Sequence, residues 1–182
     1  MRNLILLIIL LTASACEVHL APSDYLRKMF VTQSDSDYYQ SKARILVSQV
    51  VGVAGEYDIN KVAVVDFVDE GGKVPILGEY LASRVMAEVA QRRPLRVAQQ
   101  GEVKDVLSKL GLPVSQLYSK TDVKKMGDAL GAQALLTGKI TDLGTNIDVF
   151  LTLVDVASGE VIASTTGNLT RTKFAVEMLR NY

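Results

Sequence analysis

Residues 128–168 constrain the fold most, because their pattern is that of a helix end followed by three consecutive strands. Gly131 lies just past an apolar run with helical spacing, where a helix C-terminus favours a residue that tolerates positive φ. Residues 134–140 are mostly apolar, and residues 146–156 alternate between two faces. A short turn then leads to the β-branched residues 161–166. The stretch predicts an antiparallel meander whose buried face must be covered by helices.

The preceding chain alternates between helical and strand patterns. The predicted elements are a helix over 36–54, a strand over 61–67, a helix over 77–89, a strand over 95–98, a helix over 102–110 and a helix that begins near Thr121. Strand–helix–strand connections imply parallel pairing with right-handed crossovers. The fold class is therefore α/β. We expect a single domain with packed helices and a mixed sheet, parallel in its N-terminal part and an antiparallel meander in its C-terminal part.

Caps and apolar stripes give finer expectations for these elements. We expect Ser36 or Asp37 to cap the first helix and Thr121 to cap the fourth. The apolar stripe of the third helix predicts four inward-facing side chains, Val103, Val106, Leu107 and Leu110. Residues 171–182 are predicted to form a short terminal helix or a fraying end.

The N-terminal segment MRNLILLIILLTASAC has the pattern of an export signal. Arg2 precedes the apolar residues 4–11, a run that is too short for a membrane-spanning helix of roughly 20 residues. Small residues then lead to Cys16, and ASAC at positions 13–16 resembles the bacterial lipobox, in which the Cys is lipidated and becomes the mature N-terminus. An ordinary secretory signal cleaved near Ala15 is the alternative. Cys16 is the only cysteine, and thioether attachment to lipid would account for an unpaired thiol in an exported protein.

Lipidation of Cys16 would organise the chain around a membrane anchor. The predicted parts are a lipoprotein signal peptide over 1–15, a tether over 16–35, the α/β domain over 36–170 and a C-terminal tail over 171–182. Glu17 follows the Cys, which by resemblance to sorted lipoproteins favours the outer membrane, with the anchored domain facing the periplasm. The tether contains an apolar segment over 25–30, with Tyr25, Leu26, Met29 and Phe30, which either docks as a short helix or belongs to the linker. The sole histidine, His19, also lies in this tether and is interpreted as solvated.

Composition excludes several classes of function. The chain has 20 basic and 20 acidic residues, which argues against nucleic acid as a partner, because phosphate binding needs a concentrated basic patch. With one His and one Cys, the chain lacks Ser–His–Asp and Cys–His arrangements. No carboxylates have His or Cys companions at metal-ligand spacing. We therefore predict a protein that is not an enzyme and that has no metal or cofactor.

Three local features suggest chemistry, and each has a plainer interpretation. Asp66 ends a predicted strand, where α/β sites cluster, but we expect it to cap or hydrogen-bond the following loop. Residues 71–73, GGK, lack the spacing of a phosphate-binding loop, so they are predicted to form a solvated loop. Arg92 and Arg93 end a helix, where cations complement the negative end of the helix dipole.

Four spaced pieces of the sequence together resemble the FlgO-type domain. They are KVAVVDF at 61–67, LGEYLASRVMAEV at 77–89, LGAQALLTGKITDLG at 130–144 and VDVASGEVIAS at 154–164. That domain belongs to a wider group of envelope lipoproteins with the same α/β layout, which includes CsgG-like and LpoB-like proteins. The resemblance covers about residues 36–170. It departs from the common pattern at Gln99 and Gln100, where relatives have an acidic–basic pair after the second strand.

The resemblance implies a non-enzymatic outer-membrane lipoprotein that is required for flagellar motility and acts in or near the envelope rings around the flagellar basal body. Its partners would be the outer membrane, through the lipid anchor, other envelope or flagellar ring proteins, and further copies of itself. Docking would use the edge strands of the sheet or the apolar segment over 25–30. The resemblance transfers no binding residue, so Cys16 is the only predicted site residue.

Two alternatives stay open. The first is an LpoB-like activator of a peptidoglycan synthase, which needs reach across the periplasm, whereas residues 17–37 extend only about 70 Å when fully stretched. The second is a CsgG-like secretion or assembly lipoprotein. A pore of that kind needs long amphipathic hairpins in addition to the meander that the fold already uses.

Overall fold

A computed structural model describes residues 34–180, which belong to one compact unit. The helices are α1 (Asp35–Val50), α2 (Ile76–Ala90), α3 (Gln100–Leu110), α4 (Lys120–Leu130) and α5 (Lys173–Met178), with a 3-10 helix over Val51–Tyr57. The strands are β1 (Lys61–Val64), β2 (Arg96–Val97), β3 (Ala134–Asp142), β4 (Asn146–Asp155) and β5 (Val161–Thr170). The predicted α-β-α-β-α-α-β-β-β order is confirmed, and α5 follows it. Within this described range, no helix combines the length and apolar character that crossing a membrane requires.

The five strands form one sheet in the order β2-β1-β3-β4-β5. β1 pairs in parallel with both β2 and β3, because helices return the chain to the same end of the sheet between these strands. β3, β4 and β5 pair antiparallel through short turns. The predicted mixed sheet is thus confirmed, with its parallel part first along the chain and its antiparallel meander last.

Helices cover the sheet on both faces, and each face has its own hydrophobic core. α1, α2 and α5 pack on one face, where Leu136, Leu151 and Leu153 are fully buried. α3 and α4 pack on the other face, around Ala63 and Leu135. β1 is therefore covered on both sides, which explains why its sequence is nearly continuously apolar instead of alternating.

The predicted helix caps are wrong, by two or three residues for the first helix and by two for the fourth. α1 is capped by Ser34, whose hydroxyl accepts a hydrogen bond from the Asp37 N–H, and not by Ser36 or Asp37. α4 is capped in the same way by Ser119 and not by Thr121. In both cases an Asp follows the capping Ser by three residues and accepts a hydrogen bond from its hydroxyl. This reciprocal pairing is related to the capping box, so the true cap is the Ser that has an acidic residue in the first turn.

Element ends also differ from the prediction. Leu110 was expected to face inward, but it is 36% exposed, because α3 ends at Leu110 and Gly111 turns the chain away in the left-handed conformation, at φ 64°. The helix predicted over 36–54 is α-helical only as far as Val50, and the chain then tightens into the 3-10 helix. β1 and β2 are shorter than predicted, although Val65 still donates to the Leu136 carbonyl and extends the pairing of β1.

A buried charge ties α1 to α2. Glu88 is only 3% exposed, and its carboxylate lies 3.4 Å from Arg44 Nε and accepts a hydrogen bond of 3.3 Å from Gln40 Nε2. The helical alternative for the C-terminal tail is confirmed as α5, where Ala175 is fully buried and the Phe174 ring lies 5.8 Å from that of Tyr39. α5 therefore packs against the same helices that Glu88 joins.

Candidate functional site

The predicted site residue, Cys16, lies outside the described residues, as do His19 and the apolar segment over 25–30. The signal peptide and the lipid anchor therefore stay predictions. Among residues 34–180, one cluster of charged side chains lies beside a groove and includes an almost fully buried carboxylate. That carboxylate belongs to Asp66.

Asp66 is 5% exposed and lies just after β1. The expectation that it binds the following loop is wrong. Its carboxylate accepts a hydrogen bond from Gln100 Nε2 and lies 3.2 Å from Lys104 Nζ, both on α3. The reason is topological, because the parallel pairing of β2 with β1 places the beginning of α3 beside the end of β1. Gln100 is one of the two residues at which the sequence differs from the common FlgO-type pattern, and it donates a hydrogen bond to Asp66.

Lys104 connects Asp66 to a third element. Its ammonium also lies 2.8 Å from Glu79 Oε1 in the first turns of α2. The hydrogen bond to Glu79, followed by the attraction of Asp66, raises the pKa of Lys104 above its ordinary value, although partial burial opposes this shift. The ammonium therefore stays charged across the physiological range. One cation between two carboxylates links β1, α2 and α3.

A groove of about 330 Å³ opens beside these three charged residues. Its remaining lining is mainly apolar and comes from α3 and the neighbouring loops, with Val74, Leu107, Ser108, Leu112 and Val114. Burial raises the pKa of Tyr118 to about 12, and the charge of the nearby Asp66 adds to this shift. The Tyr118 hydroxyl donates to the Pro113 carbonyl and accepts from the Ser115 N–H. The phenol is therefore a protonated group that holds its own loop.

The chemistry of this cluster fits binding better than catalysis. A general acid or base needs a proton that it can exchange with a substrate, whereas Asp66 and Glu79 are both engaged by the Lys104 ammonium. Among the described residues, which include neither His19 nor Cys16, no group of three His, Cys, Asp and Glu side chains is placed to hold a metal ion. The arrangement can fix three elements together and present an apolar groove with a charged rim.

The two basic or glycine-rich features singled out in the sequence lie elsewhere. Residues 71–73 are exposed, and Gly72 has a positive φ of 75°, so the predicted solvated loop is confirmed. Arg92 and Arg93 follow the end of α2 and line a second groove of about 270 Å³, with Ile59 and Leu95 among the apolar residues of its lining. Neither feature is part of the lining of the groove beside Asp66.

Sequence reasoning singled out Asp66 but missed Lys104 and Glu79. The signal was weak, because both residues lie on helix faces where solvated charges are expected. Gln100 is a stronger sequence signal for this cluster. A polar residue at the beginning of a helix, directly after a strand, is well placed to reach the end of the neighbouring parallel strand.

Comparisons with known proteins reveal the fold. No protein-family model matches the sequence, and no curated protein matches it significantly. The LpoB C-terminal domain from Salmonella enterica superimposes with a TM-score of 0.59 and 17% identity, over 73% of this chain and 98% of that domain. The corresponding domain from Escherichia coli gives 0.58 and 16%, with the same coverage. The NMR structure of Escherichia coli LpoB gives 0.59 and 15%, over 74% of this chain and 68% of that one.

These comparisons define the class of domain. The chain has the α/β fold of the LpoB C-terminal domain, with the five-stranded mixed sheet described above. At this level of identity the likeness concerns the fold alone. It agrees with the LpoB-like part of the sequence resemblance, whereas the FlgO-type assignment stays a prediction.

Proposed function

We propose that this chain is a non-enzymatic lipoprotein of the cell envelope whose α/β domain activates a peptidoglycan synthase by binding it. The observation that carries the proposal is the likeness to the LpoB C-terminal domain over 98% of that domain. This likeness favours the LpoB-like alternative of the sequence analysis over the flagellar interpretation. The groove beside Asp66 supports binding as the mode of action, because its carboxylates are held by Lys104 instead of being free for catalysis.

The proposed anchor limits where the partner can be met. Lipid attached to Cys16 would hold the chain at the outer membrane, facing the periplasm. Because α1 begins at Asp35, a tether over residues 16–34 spans at most about 60 Å even when fully extended. The domain then works within that distance of the outer membrane, so the synthase must present its contact surface there. Confinement of this kind raises the effective concentration of the domain for a partner within reach.

A flagellar role is the second candidate, and the observation that favours it is the set of four sequence pieces that resemble the FlgO-type domain. In the structure these pieces form β1, α2, the end of α4 with β3, and the hairpin of β4 and β5. Each piece contributes side chains to the core beneath α1 and α2, so the resemblance extends over the centre of the domain. The partners in this case would be the rings around the flagellar basal body.

A deletion strain separates the two candidates. The synthase-activator function predicts hypersensitivity to cell-wall antibiotics with normal swimming in soft agar. The flagellar function predicts lost swimming, with altered flagella by electron microscopy, and normal antibiotic sensitivity. Wild type supplied in trans should restore whichever phenotype is lost. A strain that shows neither defect would refute both candidates.

The lipid anchor needs its own test. Cells that express the chain are grown with labelled palmitate, and incorporation is measured after immunoprecipitation. We expect Cys16→Ser to abolish the label and to release the protein from the outer-membrane fraction, because no other thiol can accept the lipid. Ser14→Ala, which keeps a small residue before the Cys, is the matched control and should remain labelled. Unchanged labelling of Cys16→Ser would disprove lipidation at this position.

A further inference from the structure

The two edges of the sheet are protected very differently. β2 has two residues, follows Pro94 and carries the exposed Arg96. A short strand, a proline and a charge are devices that keep an edge from pairing with another chain. β5, at the other edge, has ten residues, VIASTTGNLT, with neither a charged residue nor a proline. Within residues 34–180, the long edge is thus the one that has none of these three devices.

The backbone of β5 presents hydrogen-bonding groups to its open side. The Thr170 N–H donates to Tyr38 Oη at 2.6 Å, so the backbone N–H and C=O groups of Thr170 point away from β4. Alternate residues of an antiparallel strand share this direction, and the N–H and C=O groups of Ser164, Thr166 and Asn168 therefore also face outward. None of the backbone hydrogen bonds that the described residues form outside helices and strands involves these three. Their side chains are exposed as well.

α1 adds an apolar side chain next to this edge. Tyr38 and Gln49 join the helix to β5, through Thr170 and through the Thr165 hydroxyl, which donates to Gln49 Oε1. Ile45 lies on the same side of the helix, four residues before Gln49 and seven after Tyr38, and it is 50% exposed. We call Ile45 and the outward groups of Ser164, Thr166 and Asn168 the β5 edge surface.

We propose that the β5 edge surface binds the same surface of a second copy of this chain. Two β5 strands would pair antiparallel about a two-fold axis, with Thr166 opposite its counterpart and Ser164 opposite Asn168 of the second copy. An uncharged strand can face its own copy without like-charge repulsion, and nothing in its sequence selects a charged partner instead. The two sheets would become continuous, with Ile45 of each copy on the same side of the joint. This inference is independent of the synthase or ring protein that the domain binds.

Crosslinking in native membranes tests the pairing directly. The full chain carrying Thr166→Cys is treated with a short bis-maleimide reagent, and we expect a covalent dimer on a denaturing gel. Asp105→Cys, exposed on α3, outside the groove lining and away from β5, is the matched control and should remain monomeric. The unsubstituted chain controls for reaction at Cys16. The proposal is overturned if Thr166→Cys gives no more dimer than Asp105→Cys while both thiols react with a single maleimide.

Introducing a charge at Thr166 provides a second, independent test. In the purified full chain in detergent, Thr166→Lys and Thr166→Glu each place like charges across the axis. We expect each variant alone to raise the dimer dissociation constant at least about tenfold in analytical ultracentrifugation. An equimolar mixture should recover the dimer, because opposite charges then face each other. Unchanged thermal unfolding would show that both variants fold. Dimerisation equal to that of wild type in both variants, or a monomeric wild type, would overturn the proposal.

Discussion

Gly78 is where a single added methyl group should damage this fold most. It lies in the first turn of α2, which passes directly over the chain that follows β1. A Cβ at Gly78 would lie 2.1 Å from the Phe67 carbonyl oxygen and 3.1 Å from its carbon, well inside the about 3.5 Å at which non-bonded heavy atoms attract. The obstacle is backbone and not a flexible side chain. α2 would therefore have to move by about 1 Å or more to accept Gly78→Ala.

Helix propensity alone predicts the opposite effect of Gly78→Ala. Replacing Gly by Ala within a helix gains up to about 1 kcal/mol. Forcing an extra methyl group into a packed site costs about 1–3 kcal/mol, and a backbone obstacle places Gly78 at the upper end of that range. The expected result is a net loss of about 2 kcal/mol in the free energy of unfolding. For a domain of this size, that loss lowers Tm by about 4–8 °C.

Urea unfolding of the full chain, followed by circular dichroism, measures this effect. Gly101→Ala is the matched control, because Gly101 also lies in the first turn of a helix, is exposed, and has no heavy atom within 4 Å of its virtual Cβ. We expect Gly101→Ala to stabilise the domain by about 0.5–1 kcal/mol. If Gly78→Ala proves as stable as wild type while Gly101→Ala behaves as expected, the close approach of α2 to Phe67 is refuted.

Two further predictions concern ion pairs. Lys104→Met should lower the free energy of unfolding in urea by about 3 kcal/mol, because it leaves the buried Asp66 carboxylate without its cation. Asp66→Asn should lower it by only about 1 kcal/mol, because Lys104 keeps its ion pair with Glu79. Equal losses in the two variants would contradict this reasoning. Arg171→Gln tests acid stability, because the Arg171 guanidinium and a backbone N–H lower the pKa of Asp142 from its ordinary value. That stabilisation is present above the unfolded-state pKa and disappears as pH falls through the lower folded-state pKa. In calorimetry the Tm difference between wild type and Arg171→Gln should shrink from about pH 4 towards pH 2, and a constant difference would contradict the pairing.

The order of elements could be predicted because its signals are local. Leu77, Leu81, Val85 and Val89 repeat every four residues, and all four are buried along α2. Gly131 ends α4 in the left-handed conformation, as expected of a residue without a Cβ. The helix caps were missed because two hydroxyl residues compete within two positions at each N-terminus. An Asp three residues after the capping Ser distinguishes the true cap, and this pattern was available in the sequence.

The candidate site could not be assembled from the sequence, because its partners come together only through the sheet. Gln100 is 34 residues from Asp66, and no local pattern relates them. Their contact depends on the register of β1 and β2, in which Lys61 pairs with Arg96. A strand as short as β2 gives too weak a signal for that register to be deduced. Lys104 follows from the same geometry, one helical turn after Gln100.

The groove and the β5 edge surface lie on different parts of the sheet, and this separation has a functional consequence. Asp66 follows β1, and two strands, β3 and β4, separate β1 from β5, so a partner in the groove and a second copy at β5 need not compete. Lipid anchoring would confine all copies to one leaflet, which raises their effective concentration and lets a weak edge contact suffice. The same confinement should make pairing through β5 depend on Cys16. We therefore expect Thr166→Cys to lose its crosslink when Cys16→Ser is also present. This loss would show that pairing through β5 depends on the lipid anchor, although the groove residues are the same in both variants.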